Sequence, residues 1–458
     1  MSSAIDWVAC PGRVAIAALV VAVLGIAVTA GMAGAQWSDV YVWEKVYGGA
    51  GEVDVATDVR QAPDGGFIVG GYVGKKDGSS EAYLLKINGQ GEKVWDKRFG
   101  EGTTNEFYCV LPVDGGYLCV GGTNEETGRG NDIYLVKVSS SGNEVWSKTY
   151  GTALTDFASK IIPASDGGYI VLGRTQRTDK RGFDAYLLKV NSNGNQVWDS
   201  RITNQSHDSC SDIKATADGG YVIAGIQKRL EGRPDDAYLL KTDSSGKKVW
   251  EQVYGGTYYD KGFAVAEVEG GYLLMGETTS YGNGTLGDFW LVRTDGAGKE
   301  LWNATYGDKG WEDASSVMLK MPDGGFLICG GTTSIGNGNL DCYLLKVDRD
   351  GRFMWDAAYG TGSYERASSV VRATDGSYVI AGVQQKTGNM DDIYLVRTNG
   401  GPGLNSHLNW GGQADDSGAG GDQGNSGDSG NDGDSGSGKK SGGILQAIID
   451  LIKSLFGL

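Results

Sequence analysis

Short apolar runs of five or six residues, divided by polar and glycine-rich turns, recur along most of the chain. The clearest unit is Asp184–Trp198, where an apolar run (Ala185–Val190) and a polar turn (Asn191–Asn195) lead into a second run entered by Val197 and Trp198. Runs of this length and composition predict β-strands, not helices. Variants of the unit begin at Glu81, Asp132, Asp236, Asp288 and Asp341. A further copy, Asp392–Arg397, has no tryptophan run after it, and a tryptophan run with nothing before it, Val42–Tyr47, stands near the other end.

Tryptophans 43, 95, 146, 198, 250, 302 and 355 are spaced by 51–53 residues. An Asp-Gly-Gly turn keeps the same beat at Asp64, Asp114, Asp166, Asp218 and Asp323, relaxed to Glu269-Gly270-Gly271 and Asp375-Gly376-Ser377. In the third copy the four expected strands are A (Ala158–Pro163), B (Tyr169–Gly173), C (Ala185–Val190) and D (Gln196–Arg201). A period near 50 residues with four short strands per unit predicts an all-β, seven-bladed β-propeller of four-stranded blades. The two unmatched ends combine into one blade, so the ring is expected to close through the Trp43 strand joining the last blade. Closure of this kind removes an open sheet edge. The Ala/Ser-rich A strands, as in Ala314-Ser315-Ser316 and Ala367-Ser368-Ser369, suit a crowded inner rim.

Composition divides the chain into four parts. Residues 1–36 carry Arg13 and an apolar stretch from Val14 to about Ala33, ending Ala33-Gly34-Ala35, which reads as an export signal or an N-terminal membrane anchor. Residues 37–403 form the propeller. Residues 404–443 are rich in Gly, Ser and Asp and are expected to be a disordered linker. Residues 444–458 place Gln446, Asp450, Lys453 and Ser454 on one helical face and Ile448, Ile449, Ile452 and Phe456 on the other, an amphipathic helix suited to a membrane interface or a partner groove. The expected location is extracellular or on the cell surface.

The formal charge of −16 argues against nucleic acid as a partner. Two histidines, His207 and His407, leave little for a histidine-based metal or catalytic site. Among six cysteines, Cys109 and Cys119 flank one A–B turn and Cys329 and Cys342 flank a B–C loop, which makes them disulfide candidates, with buried free thiols as the alternative. Asn204, Asn283 and Asn303 stand in Asn-x-Ser/Thr triplets and are candidate glycosylation sites.

Chain direction places the A–B and C–D turns on one face and the D–A crossovers and B–C loops on the other. The second face varies in length and sequence, where function is usually grafted on a repeat scaffold. Its crossovers carry Phe107 and the candidate rim Tyr258, Tyr259, Trp311 and Tyr364, suited to stacking on sugars or gripping a partner protein. Its B–C loops in blades 3 and 4 are cationic: Arg174, Arg177, Lys180 and Arg181, then Lys228, Arg229 and Arg233. Merged, they form a candidate basic sector for an anionic glycan or an acidic partner. Carboxylates Asp156, Asp260, Glu312, Asp313 and Glu365 stand at the same level and are the groups a catalytic reading would need.

The motifs Gly246-Lys-Lys-Val-Trp250 and Gly298-Lys-Glu-Leu-Trp302 resemble repeats of PQQ-type propellers. Combined with Asp-Gly-Gly-Tyr and Asp-x-Tyr-Leu-x-Lys, the chain over residues 40–400 is most similar to exported propeller repeat proteins of archaea and bacteria. Likeness to the PQQ-dependent alcohol dehydrogenases would imply a quinone, calcium and a disulfide between adjacent cysteines. The chain has no adjacent cysteine pair, and no PQQ- or calcium-binding residues match, so no cofactor or metal is expected. The leading expectation is a non-enzymatic propeller that binds a glycan or a cell-surface protein through its loop face, with membrane attachment through its termini. The alternatives are a propeller enzyme (a PQQ-like oxidoreductase, or a polysaccharide lyase or hydrolase) and a structural surface-layer component.

Overall fold

The computed structural model describes residues 41–401, apart from 50, 101–103, 125–129, 180–181, 204–206, 229–233, 283–285, 309, 338 and 387–389. The expected export segment, linker and C-terminal helix lie outside the described residues. Each repeat folds into a four-stranded antiparallel sheet with its strands in the order A–B–C–D. Blades 1 to 6 span Val53–Phe99, Asn105–Tyr150, Asp156–Ile202, His207–Tyr254, Asp260–Tyr306 and Glu312–Tyr359. Blade 7 takes its A, B and C strands from Tyr364–Thr398, and its D strand is Tyr41–Tyr47, the first of the described strands. Trp43 pairs with Arg397 and Tyr47 with Ile393 in that seam. Among the described residues there is no α-helix.

Strands B and C run further toward the loop face than their apolar runs. In blade 3 they are Tyr169–Gln176 and Phe183–Val190, because backbone pairing continues through Arg174–Ala185, Thr175–Asp184 and Gln176–Phe183. The Asp-Gly-Gly turn and the lysine of strand C turn out to be partners. Lys86, Lys241 and Lys346, all buried, reach Asp64, Asp218 and Asp323 at 2.8–2.9 Å, and Lys189 pairs with Asp166 in the same way. Hydrogen bonds from Thr216 and Lys241 hold the Asp218 carboxyl down at about 2.

A propeller must narrow toward its axis, and the A strands show how. Six A strands carry a β-bulge at the same register, so that Thr57, Tyr108, Ser159, Ser211, Phe263 and Ser368 have no partner on strand B. In blade 6 the irregularity spans Ala314 to Met318. A bulge bends its strand and turns the extra side chain outward from the ladder. Opposite each bulge stands a glycine of strand B: Gly71, Gly121, Gly173, Gly225, Gly276, Gly330 or Gly382. A Cβ at any of these would lie 1.7–2.3 Å from an A-strand carbonyl oxygen. The hydroxyls left on the axis tie blade to blade: Thr57 Oγ1 donates to Phe107 O and Ser159 Oγ to Cys210 O, both at 2.8 Å.

Wherever the next blade has a C–D turn, the outer part of the junction is a latch; at the junction of blades 6 and 7, Tyr359 Oη pairs with Thr398 Oγ1 instead. The D-strand tryptophan of one blade lies against the C–D turn glycine of the next, as Trp95 on Gly142, Trp250 on Gly298 and Trp302 on Gly351. These glycines have φ near +80° and admit no Cβ beside the ring, so both conformation and space require glycine. Tyr254 Oη donates to Gly298 O at 2.5 Å, and Tyr150 and Tyr306 repeat the bond to Gly194 and Gly351. Trp43 and Tyr47 make the same contacts on Gly91 of blade 1, with Trp43 Nε1 donating to Gly89 O at 3.0 Å. The closing seam therefore repeats the chemistry of the internal ones.

Gly121→Ala should destabilise the ring by about 2–3 kcal/mol, the usual cost of forcing an atom into a packed interior. Gly362→Ala, with nothing within 4 Å of the new carbon, should stay within about 0.5 kcal/mol of the parent. Thermal melts of the two variants check the expectation, and equal melting temperatures would contradict it.

Candidate functional site

The loop face is held by buried acids. Asp156, Asp260 and Glu312 begin their A strands, and Glu365 follows Tyr364 in blade 7; all four are buried. Each is bonded into the crossover above it or the B–C loop beside it. Thr152 N donates to Asp156 at 2.6 Å, Gly256 N to Asp260 at 2.7 Å, and Gln384 Nε2 to Glu365 at 2.8 Å. Thr332 Oγ1 donates to Glu312 at 3.0 Å, with Ser334 on the same oxygen. The opening aspartate of the strand C motif flanks the same crossover: Asp132 with Asp156 beside Gly151, Asp236 with Asp260 beside Gly255, and Asp288 with Glu312 beside Gly307. Burial pushes Glu312 up to about 7, opposed by the Ser334 and Thr332 hydrogen bonds and assisted by Asp288. The acids that a catalytic reading would recruit are thus fastened into the loop scaffold. Asp313 is ion-paired with Arg366.

The aromatic rim divides. Phe107 is fully buried, packed between Phe99 and Tyr134 at 5.6 and 6.0 Å. Tyr364 is half-buried, and burial raises its pKa. Tyr258 and Tyr259 are 60% and 56% exposed, and Trp311 is 37% exposed. The B–C loop of blade 5 adds Tyr281, 42% exposed, a ring that crossover position does not point to. These rings sit on loops joined by hydrogen bonds. Tyr258 N donates to Ser280 Oγ, Thr279 N to Tyr259 O and Trp311 N to Thr333 Oγ1, at 2.9, 2.8 and 2.7 Å. Tyr281 stacks on Trp290 at 5.5 Å and donates to Gly255 O, while Trp311 Nε1 donates to Glu277 at 3.5 Å. The polar tips of Tyr281 and Trp311 are used inward, and ring surface of all four is left exposed.

The cationic B–C loops do not present one continuous surface among the described residues. Arg177 lies 3.6 Å from buried Asp184 and 3.7 Å from Asp179. Lys228 is exposed at the end of its strand. Lys180, Arg181, Arg229 and Arg233 lie outside the described residues. Arg174 turns inward: its guanidinium carbon is 4.8 Å from the Phe157 ring and 4.9 Å from the Phe183 ring, and Nη1 donates to Ser209 Oγ at 3.3 Å. It borders a cavity of about 520 Å³ in the central channel, lined from all seven A strands. A hollow of about 890 Å³ between the outer strands of blades 1 and 2 is larger, but its arginine, Arg98, already pairs with Glu52 and Glu81.

The disulfide expectation is corrected. Cys109, Cys119, Cys329 and Cys342 are buried thiols that form no disulfide. Strand pairing sets Cys109 opposite Val120, and the two cysteines pack into different core clusters on the two faces of the sheet. Cys329 faces Leu344, while Cys342 faces Gly331. Asn303 lies within a D strand, where its Nδ2 donates to Glu300 at 2.7 Å, so the nitrogen a glycan would take is already engaged. Asn204 and Asn283 lie outside the described residues. Among the described residues no three His, Cys, Asp or Glu side chains converge on a point that could hold a metal ion.

The fold and its repeats define the class: a seven-bladed β-propeller with an open channel. No family model matches the chain. It is 23% identical over 337 residues to the regulatory protein FlaEY of Caulobacter vibrioides, covering 68% of this chain and 33% of that protein, so it spans about a third of that relative's length. Similar solved structures include puromycin hydrolase (13% identity, 76% of this chain and 54% of that one, TM-score 0.49). A protein of unknown function from Dyadobacter fermentans matches at 12% identity, 78% and 98% coverage and TM-score 0.44. The β-propeller domain of the Trilobed protease from Pyrococcus furiosus matches at 10% identity, 75% and 93% coverage and TM-score 0.44.

The raised Glu312 value has a sign that can be tested. Its carboxyl favours the protonated form in the fold, so its stabilisation is complete below the ordinary value of 4.5 and is lost as pH rises through about 7. Glu312→Gln, which imitates the protonated acid, should therefore gain on the parent between pH 5 and pH 8, by up to about 3 kcal/mol at 1.36 kcal/mol per unit. Denaturant unfolding at the two pH values measures this; a difference that does not change with pH would contradict it.

Proposed function

We propose that this protein is a non-enzymatic, exported propeller that binds a glycan through its loop face, chiefly on the aromatic surface flanking blade 5. The observation that carries the reading is the set Tyr258, Tyr259, Tyr281 and Trp311. These are large rings left exposed on crossovers and a B–C loop that hydrogen bonds hold in place. Exposed aromatics are ordinary one at a time, but a grouped set on preorganised loops favours a ligand. Flat ring faces among hydroxyls suit a sugar, which is apolar on its faces and polar at its edges. The fastening of Asp156, Asp260, Glu312 and Glu365 into loop hydrogen bonds supports binding over hydrolysis. Export rests on the apolar stretch Val14–Ala33.

The test is affinity electrophoresis of the full-length protein through gels carrying neutral polysaccharides, beside the double variant Tyr258→Ala/Trp311→Ala. Retardation by at least one neutral polysaccharide, weakened about tenfold or more in the variant, is expected if each ring contributes about 0.5–1.5 kcal/mol. Equal mobility of parent and variant in every gel would overturn the reading.

A further inference from the structure

The chain carries a net charge of −16, yet the cavity in its channel is lined by three cations, Lys160, Arg174 and Arg366, and by no carboxylate. Arg366 is ion-paired with Asp313. Two further A-strand cations are also matched, Arg60 with Asp58 at 2.9 Å and Lys214 with Asp212 at 2.6 Å. Lys160 and Arg174 are different: among the described residues no carboxylate lies within ion-pair distance of either, and the polar partner of Arg174 is the neutral Ser209 hydroxyl. Burial pulls the Arg174 pKa down from the ordinary arginine value, but a guanidinium stays charged in proteins. A half-buried, unmatched cation is costly, and this one is held in place by two phenyl rings.

That arrangement is a receptor. The guanidinium lies over both Phe157 and Phe183, two rings tilted by 58° to each other, which hold its position and leave N–H donors for a planar, bidentate acceptor. Low-dielectric walls strengthen such a pair relative to one on the surface. The rest of the cavity wall is rich in hydroxyls, with Tyr72, Tyr108, Ser159, Ser211 and Ser368 among them. At about 520 Å³, it falls in the usual span for small-molecule sites, roughly 300–1,000 Å³.

We infer that the channel mouth is a second subsite, in which Arg174 takes the carboxylate of an acidic sugar while the surrounding hydroxyls and phenols meet its ring oxygens. The anion part stands on Arg174 alone; the sugar part rests on the glycan reading above. Calorimetric titration of the full-length protein with D-glucuronate, D-glucose and acetate separates them. Glucuronate should bind at least tenfold more tightly than either of the others. Arg174→Lys, which keeps the charge but loses the planar fork, should weaken glucuronate at least tenfold, and Phe183→Leu should weaken it several-fold. Each variant is titrated well below its own melting temperature, so that loss of binding is not loss of fold. Glucuronate affinity unchanged in Arg174→Lys would overturn the receptor. Acetate binding as tightly as glucuronate would overturn the acidic sugar as its ligand. Tyr258→Ala/Trp311→Ala should leave glucuronate affinity unchanged. Glucuronate binding that survives while neutral polysaccharides fail to retard the protein would refute the aromatic surface and leave this subsite standing.

Discussion

Seven wedges can meet around an axis only if their inner edges are thin, and this chain meets that constraint with backbone in place of side chains. At each A strand a β-carbon is removed from the facing glycine of strand B, so that the carbonyl of the bulged strand moves into the space. The bulge then turns hydroxyls and a few aromatics onto the axis, where they tie one blade to the next. The channel lining, and with it the setting of Arg174, follows from that approach. Farther out, tryptophans on left-handed glycines hold the wedges at a common angle.

Loop function depends on the same economy. The crossovers are fastened from beneath by acids that begin the A strands, with the aspartate of strand C beside them. Rings at the loop surface therefore need not be ordered when a ligand arrives, which lowers the entropic cost of binding. The acid pairs carry a cost of their own, visible in the raised Glu312 value, and it is offset by the hydroxyl and amide donors around them.

Much of the fold was legible because it repeats. Seven tryptophans on one beat, the Asp-Gly-Gly turn and two unmatched ends define the blade count and the closing strand without reference to any single contact. The candidate site was legible only in outline. Trp311, Tyr258 and Tyr259 precede the first residue of their A strands, whereas Phe107 lies two residues inside its own and is core, since a crossover's end is not marked in the letters themselves. Arg174 was grouped with Arg177 as surface charge. Its inward turn depends on strand B continuing past its apolar run and on Phe157 and Phe183 arriving from strands A and C. Their shared position next to the ends of those strands was the available signal. The strand C aspartate was in plain view, repeated in nearly every copy before an apolar run, and a charged residue kept at the start of buried strands is a sign of a buried polar tie. The cysteines misled because flanking a turn says nothing of which face of the sheet each side chain occupies.

Closure of the ring by Tyr41–Tyr47 is what the seven-bladed arrangement rests on. The most direct measurement is hydrogen exchange and thermal unfolding of the full chain beside a chain lacking residues 41–47. The shortened chain should unfold at a lower temperature, with faster exchange along Asp391–Thr398 of blade 7 and across the Gly91 turn of blade 1. Equal unfolding temperatures and unchanged exchange at those two places would contradict closure by this strand.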